Sequence, residues 1–365
     1  MTMIIEAGVL SRAMKSAAAI VKGTNTIPIL ANARIETKGG ELEIVTSNLD
    51  TEYRQLVPLV SGSGLSTTID AKKLSALAGA AASEGAQMSF SLKDSRMTVK
   101  SGRSRWVLPA LPATDFPLMP SENEASGTVF AGKDLARLIS RTAWSTLNEQ
   151  ARPQLSGLFL NAEAGKLRVA CTNGHTIVVL DTDTEWPGDA PEVIVPVEFA
   201  RVLERLSAEA PSVDLVWDQR KIRATIGEVS ITGNLVEATF PDYRRVIPED
   251  VENPLSADPE TLRKALRRIE LIGTEKSRSI VFERGNGVID LRMSDASSSG
   301  EASEQVPASC ETGFKTGFNV SYLAGALEAV GGDTVEIHQA DSTAVALIRR
   351  TVRDGTVCGV MPMRV

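Results

Sequence analysis

The alternation of apolar and polar positions is clearest between Leu167 and Asp181, LRVACTNGHTIVVLD. Leu167, Val169 and Cys171 alternate with Arg168 and Ala170, the period of a strand with one buried face, and Ile177 to Leu180 is a β-branched apolar run. Asn173-Gly174 between them tolerates the positive φ angles of a tight turn, so the segment predicts a hairpin with His175 just past its turn. The rest of the chain repeats a larger pattern three times. Residues 1–120 predict a strand (MTMIIEAG), a helix from about Val9 to Val21, strands at Ala33–Glu36 and Leu42–Val45, a helix opened by Asp70, and strands at Met88–Leu92 and Arg96–Val99. The order returns as strand Thr128–Gly132, helix Lys133–Leu147, strands Leu158–Asn161 and Leu167–Cys171, helix Val197–Leu206, and strands Val213–Trp217 and Ile222–Ile226. After Pro254 it returns as helix Pro259–Ile272, strands Ser279–Glu283 and Val288–Met293, helix Val320–Val330, and strands Val335–His338 and Ala344–Arg349.

The spacing supports a true repeat. Thr46, Thr172 and Asp295 are separated by 126 and 123 residues, and the helix starts Ala71, Val197 and Val320 by the same intervals. Three copies of an α+β unit of about 120 residues follow. The expected boundaries are 1–123, 124–250 and 251–365, with junctions in Pro117–Gly127 and Pro248–Pro259, which are rich in Pro, Ser, Asn and acids. Each unit is expected to be a sheet covered by two helices.

Composition narrows the chemistry. At 365 residues the chain exceeds one ordinary core, and 42% hydrophobic with 23% charged residues is the balance of a globular protein. No apolar run reaches membrane-span length, and MTMIIEAGVL lacks a basic flank or cleavage site, so a cytoplasmic location is expected. Cys171, Cys310 and Cys358 are odd in number and far apart, which argues against a disulfide framework. With two histidines and no CxxC pair, no metal or other cofactor is expected. There is no P-loop or nucleophile motif, and no Ser or Cys with an orienting carboxylate is arranged around His175, so a non-catalytic protein is expected.

The net charge of −7 excludes a uniformly basic nucleic-acid binder. The cations nevertheless gather on predicted helices: Arg12 and Lys15 with Lys22 beyond; Lys72 and Lys73; Lys133, Arg137 and Arg141; Arg201 and Arg205; Arg263, Lys264, Arg267 and Arg268. Pairs at i, i+4 such as Arg137 and Arg141 share a helix face. Acids fall in predicted loops and turns: Glu122, Glu124, Asp181, Asp183, Glu185, Glu249, Asp250 and Glu252. That segregation is the footprint of a phosphate-contacting surface.

Seven motifs in order complete the reading: TIPIL at Thr26, SGRSRW at Ser101, LPATDFP at Leu111, TNGH at Thr172, FPDYRRVIP at Phe240, GFNVSY at Gly317 and VMPMR at Val360. With them the chain resembles the bacterial sliding clamps, the β subunits of DNA polymerase III, along its whole length. The resemblance implies an α+β chain of three clamp-type domains forming half of a head-to-tail homodimeric ring, with helices inside and duplex DNA encircled without sequence preference. It places the helix cations named above other than Arg268, with Arg152, toward DNA. It implies a hydrophobic pocket of Leu155, Thr172, Gly174, His175, Ile177, Pro241, Arg245, Val246, Asn319, Tyr322, Val360, Met361, Pro362 and Met363. That pocket would take Gln-led hydrophobic motifs of the polymerase III α subunit, the clamp loader, other polymerases and repair proteins. It implies a dimer interface in which Trp106 and Leu108 meet Leu271 and Ile272 while Lys73, Arg103 and Arg105 face Glu301 and Glu304. The chain departs from the family at Thr24, Asn25, Pro153, Gln154, Thr176, Val197 and Glu198, where a cation or stacking group is usual. A divergent second-copy clamp, serving repair, a mobile element or drug tolerance, is therefore the alternative to the replicative one.

Overall fold

The computed structural model describes residues 2–23, 27–120, 126–147, 149, 151–247, 254–274, 278–295, 300–310, 313–352 and 354–364. Of the positions singled out above, Thr24, Asn25, Thr26, Glu122, Glu124, Pro248, Glu249, Asp250 and Glu252 lie outside the described residues.

The first repeat runs β1 (Thr2–Glu6), α1 (Ala7–Ala18), β2 (Asn32–Lys38), β3 (Glu41–Ser47), β4 (Thr51–Pro58), the short β5 (Ser61–Gly62), β6 (Ser66–Asp70), α2 (Ala71–Ala82), β7 (Gln87–Lys93), β8 (Arg96–Ser101) and β9 (Ser104–Leu111). The second runs β10 (Ser126–Ala131), α3 (Gly132–Thr142), β11 (Gly157–Glu163), β12 (Lys166–Thr172), β13 (Thr176–Glu185), β14 (Val193–Pro196), α4 (Val197–Ser207), β15 (Ser212–Trp217), β16 (Lys221–Ile226) and β17 (Val229–Asn234). The third runs β18 (Leu255–Ala257), α5 (Pro259–Glu270), β19 (Ser279–Gly285), β20 (Val288–Asp295), β21 (Gly300–Pro307), β22 (Phe314–Asn319), α6 (Val320–Val330), β23 (Val335–His338), β24 (Ala346–Arg350) and β25 (Thr356–Val360). The expected starts of α2, α4 and α6 at Ala71, Val197 and Val320 are the observed ones.

A finer period underlies the three repeats. A strand, a helix and three further strands recur six times, opened by β1, β6, β10, β14, β18 and β22 at intervals of roughly sixty residues. Each opening strand leaves its own half-repeat and pairs with the first strand after the helix of the other half: β1 with β7, β6 with β2, β10 with β15, β14 with β11, β18 with β23 and β22 with β19, all antiparallel. This exchange ties the two halves of each repeat by backbone hydrogen bonds.

The chain divides into two compact units, Met1–Ala136 with Val202–Leu235, and Arg137–Arg201 with Val236–Val365. The first unit holds one sheet of thirteen strands, in the order β10-β15-β16-β17-β4-β3-β2-β6-β9-β8-β7-β1-β5. The second holds a sheet of eight, β14-β11-β12-β13-β25-β24-β23-β18, and one of four, β21-β20-β19-β22. The units cut through the middle repeat because its strands continue the sheets of both neighbours: β17 pairs with β4 (Ile231 opposite Tyr53) and β13 with β25 (Val178 opposite Cys358).

Local chemistry sets the helices. Asp70 caps α2 by accepting from the Lys73 N–H at 2.8 Å. Asp258 caps α5, followed by Pro259 and Glu260 in the first turn and Arg267 and Arg268 in the last, the charge order a helix dipole favours. In the first unit Leu10, Met14, Leu74 and Ala78 are buried where α1 and α2 pack together. In the second, Leu262, Leu266 and Ile269 of α5 and Leu323 and Leu327 of α6 share a core with Phe282 and Phe318, whose rings meet edge to face at 5.6 Å.

The structure departs from the sequence reading at several elements. Strands β4, β5, β6, β9, β14, β17, β18, β21, β22 and β25 were not anticipated as separate strands; β21, GEASEQVP, carries two glutamates, and β9 contains Pro109. The helix expected to reach Leu147 ends at Thr142, whose hydroxyl donates back to the Leu138 carbonyl at 2.9 Å. Asp181, Asp183 and Glu185 lie on β13 rather than in a loop, where Asp181 pairs with Arg168 and Asp183 with Lys166 at 2.7 Å.

Glu43 is the charge centre of the first sheet. Its nearly buried carboxylate accepts from Arg34 at 2.8 Å, Lys38 at 2.9 Å and Arg54 at 3.0 Å. Burial alone would raise this carboxyl, but the three cations outweigh it and hold the group below its ordinary value of 4.5. Glu43→Gln is expected to cost about 2–3 kcal/mol, because the nearly buried Arg34 keeps only Glu36 as a counter-charge and Lys38 and Arg54 each lose one of two carboxylates. The difference from wild type in urea unfolding should be full above pH 4.5 and should shrink as pH falls below it, since a lowered native carboxyl loses its contribution on protonation.

Candidate peptide-binding groove

The Leu167–Asp181 segment forms the expected hairpin, with a longer turn than a two-residue one. Only Gly174 has positive φ, at 86°. Asn173 acts through its side chain, whose Oδ1 accepts from the N–H groups of His175 at 2.9 Å and Thr176 at 2.8 Å. The Thr172 hydroxyl donates to the Thr176 carbonyl at 2.7 Å and accepts from the Gly174 N–H at 3.1 Å. The turn is thereby fixed at the head of β12 and β13. β25 lies alongside, and beyond it the Met361 N–H donates to the His175 carbonyl at 2.8 Å while the Met363 N–H donates to the Gly317 carbonyl at 2.8 Å.

These contacts leave a groove of about 230 Å³, lined by Leu155, Thr172, Gly174, His175, Thr176, Ile177, Pro241, Tyr243, Val246, Val345, Gly359 and Met361. Leu155, Thr172, Gly174, His175, Ile177, Pro241, Val246 and Met361 are positions expected from the sequence. The other expected positions stand around it. Val360 is fully buried in β25, facing away. Asn319 caps α6 by accepting from the N–H groups of Ser321 and Tyr322, and Tyr322 stacks on His175 with ring centroids 6.1 Å apart. Arg245 is exposed and paired with Asp242 at 2.9 Å. Pro362 and Met363 continue past the groove, Met363 with its side chain exposed.

Thr176, Tyr243, Val345 and Gly359 are lining residues the sequence reading missed. Tyr243 lay inside the FPDYRRVIP motif, which was the available signal. Val345 and Gly359 carry none, since their place depends on how β24 and β25 pair. Thr176 stands where a basic residue is usual; its hydroxyl is buried and hydrogen-bonded to Ser145 Oγ at 2.7 Å. The groove is apolar with few polar anchors, the build of a site for hydrophobic side chains. Burial pushes the nearby Cys171 and Cys358 thiols up to about 12.

The expected DNA-facing cations mostly stand in water. Arg12, Lys15, Lys72, Lys73, Lys133, Arg137, Arg152, Arg205, Lys264 and Arg267 are exposed, Arg201 is half-buried, and Lys22 is exposed in an ion pair with Asp50 at 3.1 Å. Arg263 is drawn to Glu260 at 2.6 Å and Glu328 at 3.3 Å. Arg141 is a correction. Its guanidinium donates to the Ala329 carbonyl at 2.6 Å and the Thr356 hydroxyl at 2.8 Å, and pairs with Asp354, so it ties α3 to α6 and β25 instead of facing a ligand. Val197 and Glu198 open α4, where the acid suits the helix N-terminus. Pro153 and Gln154 begin a short 3-10 turn that ends at Leu155.

The expected interface residues occupy strand edges and a helix end. From Ser104 to Pro109, β9 pairs with β8 alone, since β6 meets only Ala110 and Leu111. Along that stretch Arg103 and Arg105 are exposed, while Trp106 and Leu108 are half-buried. β21, carrying Glu301 and Glu304, is an edge strand, and Glu304 is already bound by Arg268. Just past α5, Leu271 is 82% exposed and Ile272 half-buried.

Three repeats of exchanged half-sheets, with a groove between a hairpin turn and the C-terminal strand, define a clamp-type scaffold. Models of the DNA polymerase III beta subunit match in order: the N-terminal domain over residues 1–120, the central domain over 130–242 and the C-terminal domain over 244–364. The chain is 31% identical to the beta sliding clamp of Pseudomonas aeruginosa over 99% of both chains, and 33% identical to that of Caulobacter vibrioides over 100% of both. Its fold matches the Pseudomonas aeruginosa DnaN sliding clamp bound to griselimycin with a TM-score of 0.90 at 31% identity, and the Caulobacter crescentus DNA polymerase sliding clamp with 0.90 at 30%, each over 100% of both chains. The chain therefore belongs to the DNA polymerase III beta subunit family, the bacterial sliding clamps.

The groove floor has no spare room at Gly359, where a Cβ would stand 2.6 Å from Ile177 Cγ2, 3.4 Å from Val345 Cγ1 and 3.5 Å from Leu347 Cδ2. Gly359→Ala is expected to lower stability by about 1–2 kcal/mol by displacing Ile177, read as a lower urea midpoint at unchanged slope.

Proposed function

We propose that the chain is a non-catalytic DNA sliding clamp of the bacterial cytoplasm, organised as domains 1–123, 124–250 and 251–365. Two copies close head to tail around duplex DNA, and the groove at Gly174, His175 and Met361 tethers polymerase and other replication or repair proteins by short hydrophobic peptides. The observation that carries this reading is the groove itself: an apolar slot with the His175–Tyr322 stack and the exposed Met361 at its mouth, suited to hydrophobic side chains.

Ring closure has support in the two open strand edges. An edge strand presents unpaired backbone groups that another strand can complete. β9 of one copy and β21 of the next supply such edges, with cations at Arg103 and Arg105 on the first and acids at Glu301 and Glu304 on the second. Trp106, Leu108, Leu271 and Ile272 give the contact its apolar part. A heterologous contact of this kind makes a closed ring when the rotation per copy is right. The exposed helix cations suit the other requirement, attraction to phosphates without grip on any sequence. Processivity then follows from topology, because a closed ring cannot leave duplex sideways.

Light scattering should give a mass near twice 39.0 kDa that persists on dilution. Trp106→Ala combined with Arg103→Glu should bring it toward one chain mass; an unchanged dimer would refute the interface. Replacing Lys72 and Lys133 by Glu should shorten retention on nicked circular DNA, and Ala at both should flatten the salt dependence of binding by up to about 0.9 per lost phosphate contact.

A further inference from the structure

The strands that floor the groove carry a second cavity, of about 360 Å³, farther along the same face. On β13 the groove is lined by Ile177 and the second cavity by Val179 and Asp181; on β25 the residues are Gly359 against Val357, with Gly355 just before the strand; on β12, Thr172 against Arg168. Positions two or four apart on a strand share a face. The cavities thus open on one side of one sheet, displaced by about 7 Å where two residues separate their linings. The Tyr243–Val246 turn lies between them, and the Tyr243 ring is a wall of both.

The two differ in chemistry. The groove is apolar, whereas four guanidiniums line the second cavity, Arg168, Arg244, Arg349 and Arg350, against one carboxylate, Asp181. Arg168 is fully engaged by Asp181, at 2.5 and 2.9 Å, and by Glu163 at 3.0 Å. Arg350 is held by the Val330 carbonyl at 2.7 Å and Asp354 at 3.0 Å. Arg244 is different: its side chain is 57% exposed, crosses the Tyr243 ring at 5.2 Å, and spends one Nη on Glu163 at 2.9 Å, with donors left over. The Tyr243 hydroxyl is buried, and no acceptor for its proton stands among the described residues. The Arg168 guanidinium beside it can only donate, so the phenolic proton lacks an acceptor. A buried donor and a half-free cation at one cavity call for an anionic acceptor.

We infer that a partner peptide seated in the groove continues past Tyr243 and places an acidic side chain in this cavity, its carboxylate taking Arg244 and the Tyr243 O–H. The inference rests on the peptide-groove reading and adds a charge requirement to it. A peptide is the occupant the geometry favours because the cavity continues the groove along the same strands, within reach of a few extended residues.

The test uses fluorescence anisotropy on the full-length dimer, with labelled peptides that share one hydrophobic anchor and carry Glu-Glu or Gln-Gln at either end. One Glu-flanked peptide should bind about three- to tenfold tighter than its Gln counterpart at low salt, the range of one charge-assisted contact. Arg244→Ala should remove that advantage and Arg244→Glu should invert it, while the Gln-flanked peptide binds both variants as it binds wild type. Equal affinities for Glu and Gln flanks at both ends, or an advantage that survives Arg244→Ala, would overturn the inference and leave the groove standing. Binding of free glutamate or inorganic phosphate at the cavity without the anchor would overturn it in favour of a small-anion site. Failure of every anchor peptide to bind would instead overturn the groove reading.

Discussion

The pairing of β13 with β25 is the interaction on which the functional face depends. It brings the last strand of the third repeat against the central hairpin of the second, with Thr176 opposite Val360 and Leu180 opposite Thr356. The register decides which residues reach the groove: a slip of one would turn Gly359 away and put Cys358 or Val360 in its place. The Met361 N–H to the His175 carbonyl and the Arg141 contacts to Ala329 and Thr356 hold the same register from its two ends. Met361 and the His175–Tyr322 stack stand partly in water at the mouth of the groove.

Exchange of the opening strand in each half-repeat has a parallel consequence. Neither half can complete its sheet without the other, so the repeats are cooperative blocks rather than strings of hairpins. Fusion of neighbouring sheets through β4 with β17 and β13 with β25 extends that continuity past the repeat boundaries. The proposed ring contact uses β21, which ends its sheet, and the Ser104–Pro109 stretch of β9, which pairs on one side only.

Charge is organised by the same frame. Cations buried among carboxylates, such as Arg34 and Arg54 around Glu43, or Arg168 between Asp181 and Glu163, stabilise the sheets and take no part in phosphate attraction. Several cations on helices have partners as well, Lys73 with Asp70, Lys264 with Glu260 and Arg267 with Glu328, but at these exposed sites the pairs are weak. A net charge of −7 does not prevent a local basic surface, because exposed cations gather on helices such as α2 and α5.

Sequence alone determined the three repeats, the starts of α2, α4 and α6, the central hairpin and most of the groove residues on it. These are local matters: side-chain periodicity, capping residues such as Asp70, and the conformational freedom of Gly174 act within a few residues along the chain. The family resemblance rested on contiguous motifs, which are local too. Tertiary structure decided the rest. The half-repeat was hidden because exchanged strands share topology without sharing sequence. Arg141 read as one more helix cation, and only the approach of α6 and β25 turned it inward. Val345, Gly359 and the arginine cavity beside Tyr243 came from strand register and from segments more than sixty residues apart, and no pattern along the chain encodes which of them will meet.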